Sequence, residues 1–224
     1  MSSSNVLYEN FSVNDIKLSE IRKNQNNSGK KIFINNKSKE PVLLEFPKMK
    51  VPFGLNSFED EKTGRISYSI SLSLTDEKVV SFLKSVDDYI VNYVTENSEM
   101  CLGKVMNETV IREALYTPIA KESKDPKYSP TMKVTLYKNP EGSFDDVYDP
   151  NGNDFDLNEL QKGQHVAAIL KLSNIWFVGT KFGVSVRLEQ LMVFPQNKLK
   201  GFAFKRYLNE SADTQEDEDE EFET

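Results

Sequence analysis

The chain contains one cysteine, Cys101, and one histidine, His165. An internal disulfide is therefore excluded, and so is a zinc site built from the usual Cys and His ligands of a single chain. No run of about 18 apolar residues occurs, so no segment reads as a membrane-spanning helix. The opening Met-Ser-Ser-Ser-Asn has neither the basic nor the apolar part of a secretory signal, and an intracellular protein is expected. The glycine-rich loops that cradle nucleotide phosphates are missing as well. No sequence repeat is visible.

What is present is a chain of 224 residues with 38% hydrophobic and 11% aromatic content, enough for one sizeable core. The formal charge of -7 hides an asymmetry. Residues 210–224 hold nine acids and no base, which leaves 28 basic against 26 acidic residues in the rest, a net charge of about +2. Residues 22–50 carry Arg22, Lys23, Lys30, Lys31, Lys37, Lys39, Lys48 and Lys50 against Glu40 and Glu45. A second basic set, Lys121, Lys124, Lys127, Lys133 and Lys138, flanks Tyr116, Tyr128 and Tyr137. Either set alone would read as a solvated face; paired with a detached polyanion they suggest a basic groove.

Periodicity organises the body. Pro41–Pro47 reads as a strand bracketed by prolines, and Ile66–Leu74 alternates apolar and serine residues throughout. Thr75-Asp-Glu offers an N-cap and early acids, followed by Val79, Leu83, Val86, Ile90, Tyr93 and Val94 on one helical face. A weaker helix is expected at 104–115, a loop at 116–130, a strand at 131–137 and turns at 139–156. Two long strands then follow, 166–178 and 184–194, separated by a hairpin loop Gly179–Gly183. Val184, Val186 and Leu188 should face the core, and Trp176, in an unbroken apolar stretch, reads as core. This order suits a small antiparallel barrel with inserted helices and not a parallel βαβ sheet.

A groove for single strands needs cations along the backbone and exposed rings for the bases. The candidates for backbone contact are Lys31, Lys37, Lys39, Lys48, Lys50, Lys127, Lys133, Lys181 and Arg187. The candidates for stacking are Phe53, Tyr116, Tyr128, Tyr137 and Phe182, the last placed at a hairpin tip. In the tail, Glu216, Asp217, Glu218, Asp219, Glu220 and Glu221 form six consecutive acids that cannot bury anything, so a disordered segment is expected. Such a polyanion resembles a phosphate backbone and could occupy the groove until nucleic acid displaces it. Phe222 adds an apolar handle for a replication protein such as a polymerase, helicase or primase. Against this stands an enzyme reading, in which Asp145, Asp146, Asp149, Asp154 and Asp156 hold a metal. The match to a calcium loop fails, because Gly152 comes fourth rather than sixth and Leu160 stands at the twelfth position in place of Glu. Loop aspartates of this kind ordinarily form turns.

Several blocks carry a family resemblance. They are Phe46–Gly54, Tyr68–Leu72, Tyr128–Val134 and Lys162–Phe177, continued by Phe182–Val186. Through them the chain resembles the single-stranded DNA-binding proteins of large nucleocytoplasmic DNA viruses of eukaryotes over roughly residues 30–195. The pattern departs at Val186, where an aromatic is expected. The resemblance implies an OB-fold, cooperative coating of DNA at replication sites, and residence in a viral factory or the nucleus.

The sequence is thus read as mainly β with inserted helices, an OB-like antiparallel β-barrel with a disordered acidic C-terminal tail. The divisions are a flexible arm at 1–29, a single-stranded DNA-binding domain at 30–208 with a helical insertion at about 75–115, and the tail at 209–224. The expected role is sequence-independent binding and protection of single-stranded DNA in viral replication, recombination and repair. No catalysis, cofactor, metal or membrane is expected, and a homo-oligomer or filament on DNA is compatible with the reading. An acidic scaffold for basic partners, or a metal-dependent nuclease, are the alternatives.

Overall fold

The computed structural model of the protein describes residues 5–24, 29–61 and 64–196. The acidic segment, with Glu216–Glu221 and Phe222, lies outside the described residues. The strands are β1 (Val6–Leu7), β2 (Lys17–Leu18), β3 (Arg22–Lys23), β4 (Lys30–Asn35), β5 (Val42–Lys50), β6 (Leu55–Glu59) and β7 (Ile66–Ser73). After the helices come β8 (Tyr116–Thr117), β9 (Ala120–Lys121), β10 (Thr131–Leu136), β11 (Val147–Tyr148), β12 (His165–Val178) and β13 (Lys181–Val193).

Five of these strands close on themselves. β5 pairs with β7, β7 with β10, β10 with β13, β13 with β12, and β12 returns to β5. Every pair in the ring is antiparallel except β10 with β13. Numbering the five along the chain gives the order 1-2-3-5-4-1, a five-stranded Greek-key barrel of the OB type. The fold is mainly β with helices inserted between its second and third strands. The alternation of β7 and β12 fills the interior with Ile70, Leu72, Val166, Ala168, Leu170 and Leu172, all buried.

The insertion opens with α1 (Glu77–Glu96), whose cap is Asp76 rather than Thr75; its carboxylate accepts the Lys78 N–H at 2.8 Å. Val79, Leu83, Val86, Ile90, Val91 and Val94 lie buried along the face that packs on the barrel. Two short helices follow, α2 (Ser98–Leu102) and α3 (Glu108–Val110), the latter running into a π-helical turn at Ile111–Leu115.

Residues 5–24 do not behave as the loose arm expected from their polarity. β1 pairs in parallel with β5. Tyr8 stacks on Phe46 with centroids 5.4 Å apart and meets Phe82 edge-on. Ile16 is buried, and its carbonyl accepts the Tyr89 hydroxyl at 3.1 Å. Two well-placed apolar side chains hold the segment, with no periodicity to announce them.

The β12–β13 hairpin also differs from expectation. The turn is only Gly179–Thr180, with Val178 paired to Lys181. Gly179 takes φ +58°, a conformation that tight hairpin turns demand and glycine adopts without strain. Phe182 therefore belongs to the strand and not the tip. Its register turns it inward, where it is fully buried and stacked on Phe177 at 5.5 Å. Trp176 is displaced the other way. Ile175 and Phe177 on either side of it are buried, so the indole occupies the outer face, opposite Gly183.

Candidate nucleic-acid interface

The outer face of β7 and β10 is built by the alternation that fills the core. With Ile70 and Leu72 inward, Ser69, Ser71 and Ser73 point outward, opposite Thr135, Lys133 and Thr131 respectively. Lys133 is exposed in the middle of this hydroxyl row. Lys50 lies opposite Ser73 on one side, and Lys121 lies opposite Thr131 on the other. β6 extends the sheet beyond β7, placing Asn56 opposite Ser69 and Phe58 opposite Ser67. The Phe58 ring is 66% exposed.

At the β13 side, Thr135 is opposite Arg187, and Arg187 is opposite Lys171 on β12. Tyr137, one residue past β10 and 52% exposed, receives the Arg187 guanidinium over its ring at 4.1 Å. Among the described residues, Arg187 Nε is buried without a hydrogen-bond partner. Lys171 Nζ is 3.7 Å from Glu189 Oε1, a loose pair in which part of the cationic charge remains unspent. The face therefore combines hydroxyls, the five cations Lys50, Lys121, Lys133, Lys171 and Arg187, and two open rings.

The sequence candidates divide into four groups. Lys133, Arg187 and Tyr137 meet on this face, with Lys50 at its edge. Lys31 lies on the outer side of β4, its ammonium 5.2 Å from the Phe33 ring. Phe53 is exposed in the bend between β5 and β6, and Tyr128 in the loop entering β10, where Lys127 is shared between its ring at 4.8 Å and Asp125 at 3.0 Å. The remaining cations have other occupations. Lys37 pairs with Asp15 at 2.5 Å, Lys39 sits at φ +63° in the 36–40 turn, and Lys48 lies 4.3 Å over Phe194. Lys181 donates to the Ala114 carbonyl and so ties the hairpin tip to the helical insertion.

Two expected stacking residues are corrected to core. Phe182 is buried for the register reason given above. Tyr116, on β8, is buried against Phe182 with ring centroids 5.0 Å apart. Its hydroxyl donates to Asp87 Oδ1 at 2.5 Å, and the Ile119 N–H donates to the same carboxyl group at 3.3 Å. Burial, the largest influence, pushes the Asp87 carboxyl up to about 6 and raises the Tyr116 phenol as well. This trio fastens α1 to the hairpin.

Phe58 went unnoticed in the sequence because Leu55–Glu59 holds no regular alternation. The one signal for it is a lone aromatic among polar residues after Gly54. Lys171 was hidden inside an apolar run. The loop aspartates make turns: Asp149 accepts the Asn151 and Asn153 N–H groups at 2.8 and 2.9 Å, and Asp145 accepts from Asn139.

Solved structures to which the chain is similar include two single-stranded DNA-binding proteins of bacteriophages, each at low sequence identity. The single-stranded DNA-binding protein from bacteriophage Enc34 in complex with ssDNA covers 83% of this chain and 99% of its own, at 14% identity and a TM-score of 0.47. The gp2.5 single-stranded DNA-binding protein encoded by bacteriophage T7 covers 82% and 98%, at 14% identity and a TM-score of 0.46. An uncharacterized protein of Acanthamoeba polyphaga mimivirus is 26% identical over 181 residues, which is 75% of this chain. The chain spans only 29% of that relative's length. A family model matches residues 61–208, from just before β7 through the whole helical insertion to the last barrel strand and beyond, and on that match the chain belongs to the family of unknown function DUF5871.

Proposed function

We propose that this protein binds and protects single-stranded DNA without sequence preference during viral DNA replication, recombination and repair. The observation that carries the reading is the Arg187–Tyr137 pair set on the hydroxyl- and lysine-bearing face of β7 and β10. In an OB barrel this face, together with the loops joining strands one to two and four to five, is where oligonucleotides lie. Lys133, Lys171 and Arg187 supply charge for phosphates, and Ser69, Ser71 and Thr135 supply hydrogen bonds to phosphate and sugar. Tyr137 and Phe58 supply flat surfaces that accept any base. None of these contacts reads a base edge, which accounts for the lack of sequence preference.

The segment 209–224 is assigned as a competitor for that face and a handle for replication proteins, on the strength of its nine acids and Phe222. Cooperative coverage of DNA and a site of action in a viral factory or the nucleus complete the proposal.

The test is an anisotropy titration of labelled oligo(dT) against a duplex of equal length at two salt concentrations. Preference for the single strand, weakening steeply with salt, is expected. Indifference to oligo(dT) at low salt, with capture of basic proteins instead, would establish the acidic scaffold in its place.

A further inference from the structure

Trp176 is the only tryptophan in the chain. It projects from the outer face of β12, and the reason lies across the ladder at Gly183. A Cβ built there would stand 2.8 Å from the indole Cζ2, 2.9 Å from the Thr117 carbonyl oxygen and 3.1 Å from the indole Cε2. Gly183 has no positive φ, so its missing side chain serves space and not backbone conformation. The ring therefore rests on bare backbone.

On the other side of Trp176 lies Lys31 of β4, with Phe33 opposite Asn174. Phe33 holds two cations, Lys31 Nζ at 5.2 Å and Arg22 Cζ at 5.6 Å. Among the described residues neither cation has a carboxylate within ion-pairing distance. Two half-buried rings and two unpaired cations thus form a second patch, with the composition of a single-strand platform. The patch is joined to the first. Gly183, Ser185 and Arg187 point the same way along β13, so the two patches lie about 13 Å apart on one continuous surface, bridged by the polar pair Asn174 and Ser185.

We propose that Trp176 and Phe33, with Lys31 and Arg22, form a second stacking station that takes up the strand after it leaves the face of β7 and β10. The inference rests on the function proposed above and adds to it a path: short ligands fill the first patch alone, longer ones reach the indole.

Trp176 emission reports this directly. The intact chain is titrated with oligo(dT) from about 4 to about 16 nucleotides, the range that one OB barrel covers, following binding by anisotropy and occupancy of the station by tryptophan quenching. Binding without quenching is expected for the shortest ligands, with quenching above a threshold length. Binding at every length with unchanged emission overturns the second station while leaving the first intact; quenching by the shortest ligand that binds overturns the order of filling. No binding at any length removes both proposals. Phe33→Ala should weaken only ligands beyond the threshold, by roughly five- to 100-fold, and Lys31→Ala should lower their salt slope by about 0.7.

Discussion

The guanidinium carbon of Arg187 sits 4.1 Å from the centre of the Tyr137 ring, while Nε of the same side chain is buried and has no hydrogen-bond partner among the described residues. A planar cation stacked this way cannot be replaced by an ammonium, which has neither the flat face nor the fork of donors. Arg187→Lys should therefore weaken oligo(dT) binding although the charge is kept. Tyr137→Ala should cost about 1–3 kcal/mol, and the double variant should lose less than the two single losses combined. Strict additivity in titrations would show that the pair does not act as a unit.

Lys133 and Lys171 are separated by β13 and reach the same surface. Each Lys→Ala change should reduce the slope of log affinity against log salt by about 0.7, the value for one phosphate contact on a single strand. A variant that binds more weakly with an unchanged slope would place that lysine off the path.

Buried and exposed aromatics should separate cleanly. Phe182→Ala removes a fully buried ring and should lower stability by about 3–5 kcal/mol. Tyr137→Ala should leave the melting temperature nearly unchanged and act on affinity alone. Denaturant melts of the two variants check the assignment.

Asp87 makes stability depend on pH. Its carboxyl is raised from 3.8 to about 6 in the folded protein, chiefly by burial. Ionisation is thus harder folded than unfolded. The stability it contributes is complete below pH 3.8 and is lost as pH rises through about 6, a change of about 3 kcal/mol. Asp87→Asn cannot titrate, so the stability difference between wild type and variant should shift in the variant's favour from pH 4 to pH 7. Parallel melting curves across that range would contradict it.

Deleting residues 210–224 removes nine negative charges. Affinity for oligo(dT) should rise, most at low salt, where the competing polyanion is least screened. Equal affinity in both chains would remove the competition without touching the barrel.

Strict alternation and helical spacing made the barrel strands and α1 legible in the sequence, because burial on one side leaves a period in the residues themselves. The site was only partly legible. Lys133, Arg187 and Tyr137 could be named, since each breaks an apolar pattern from the solvent side. Phe182 and Trp176 exchanged roles because a two-residue turn, which composition alone did not fix, sets which side of β13 and β12 each ring faces. Tyr116 looked exposed in a proline-rich loop; its anchor, Asp87, stands far upstream on α1 and is invisible without the fold.

The two strands that make the proposed surface are not chain neighbours: residues 74–130, helices included, come between β7 and β10. Their ladder can close only after a long excursion returns, at a cost in chain entropy that the β12–β13 hairpin, closed over two residues, does not meet. A partly folded chain would hold the hairpin and lack the surface, so competence to grip a ligand is tied to completion of the insertion rather than to the barrel's most local pairing.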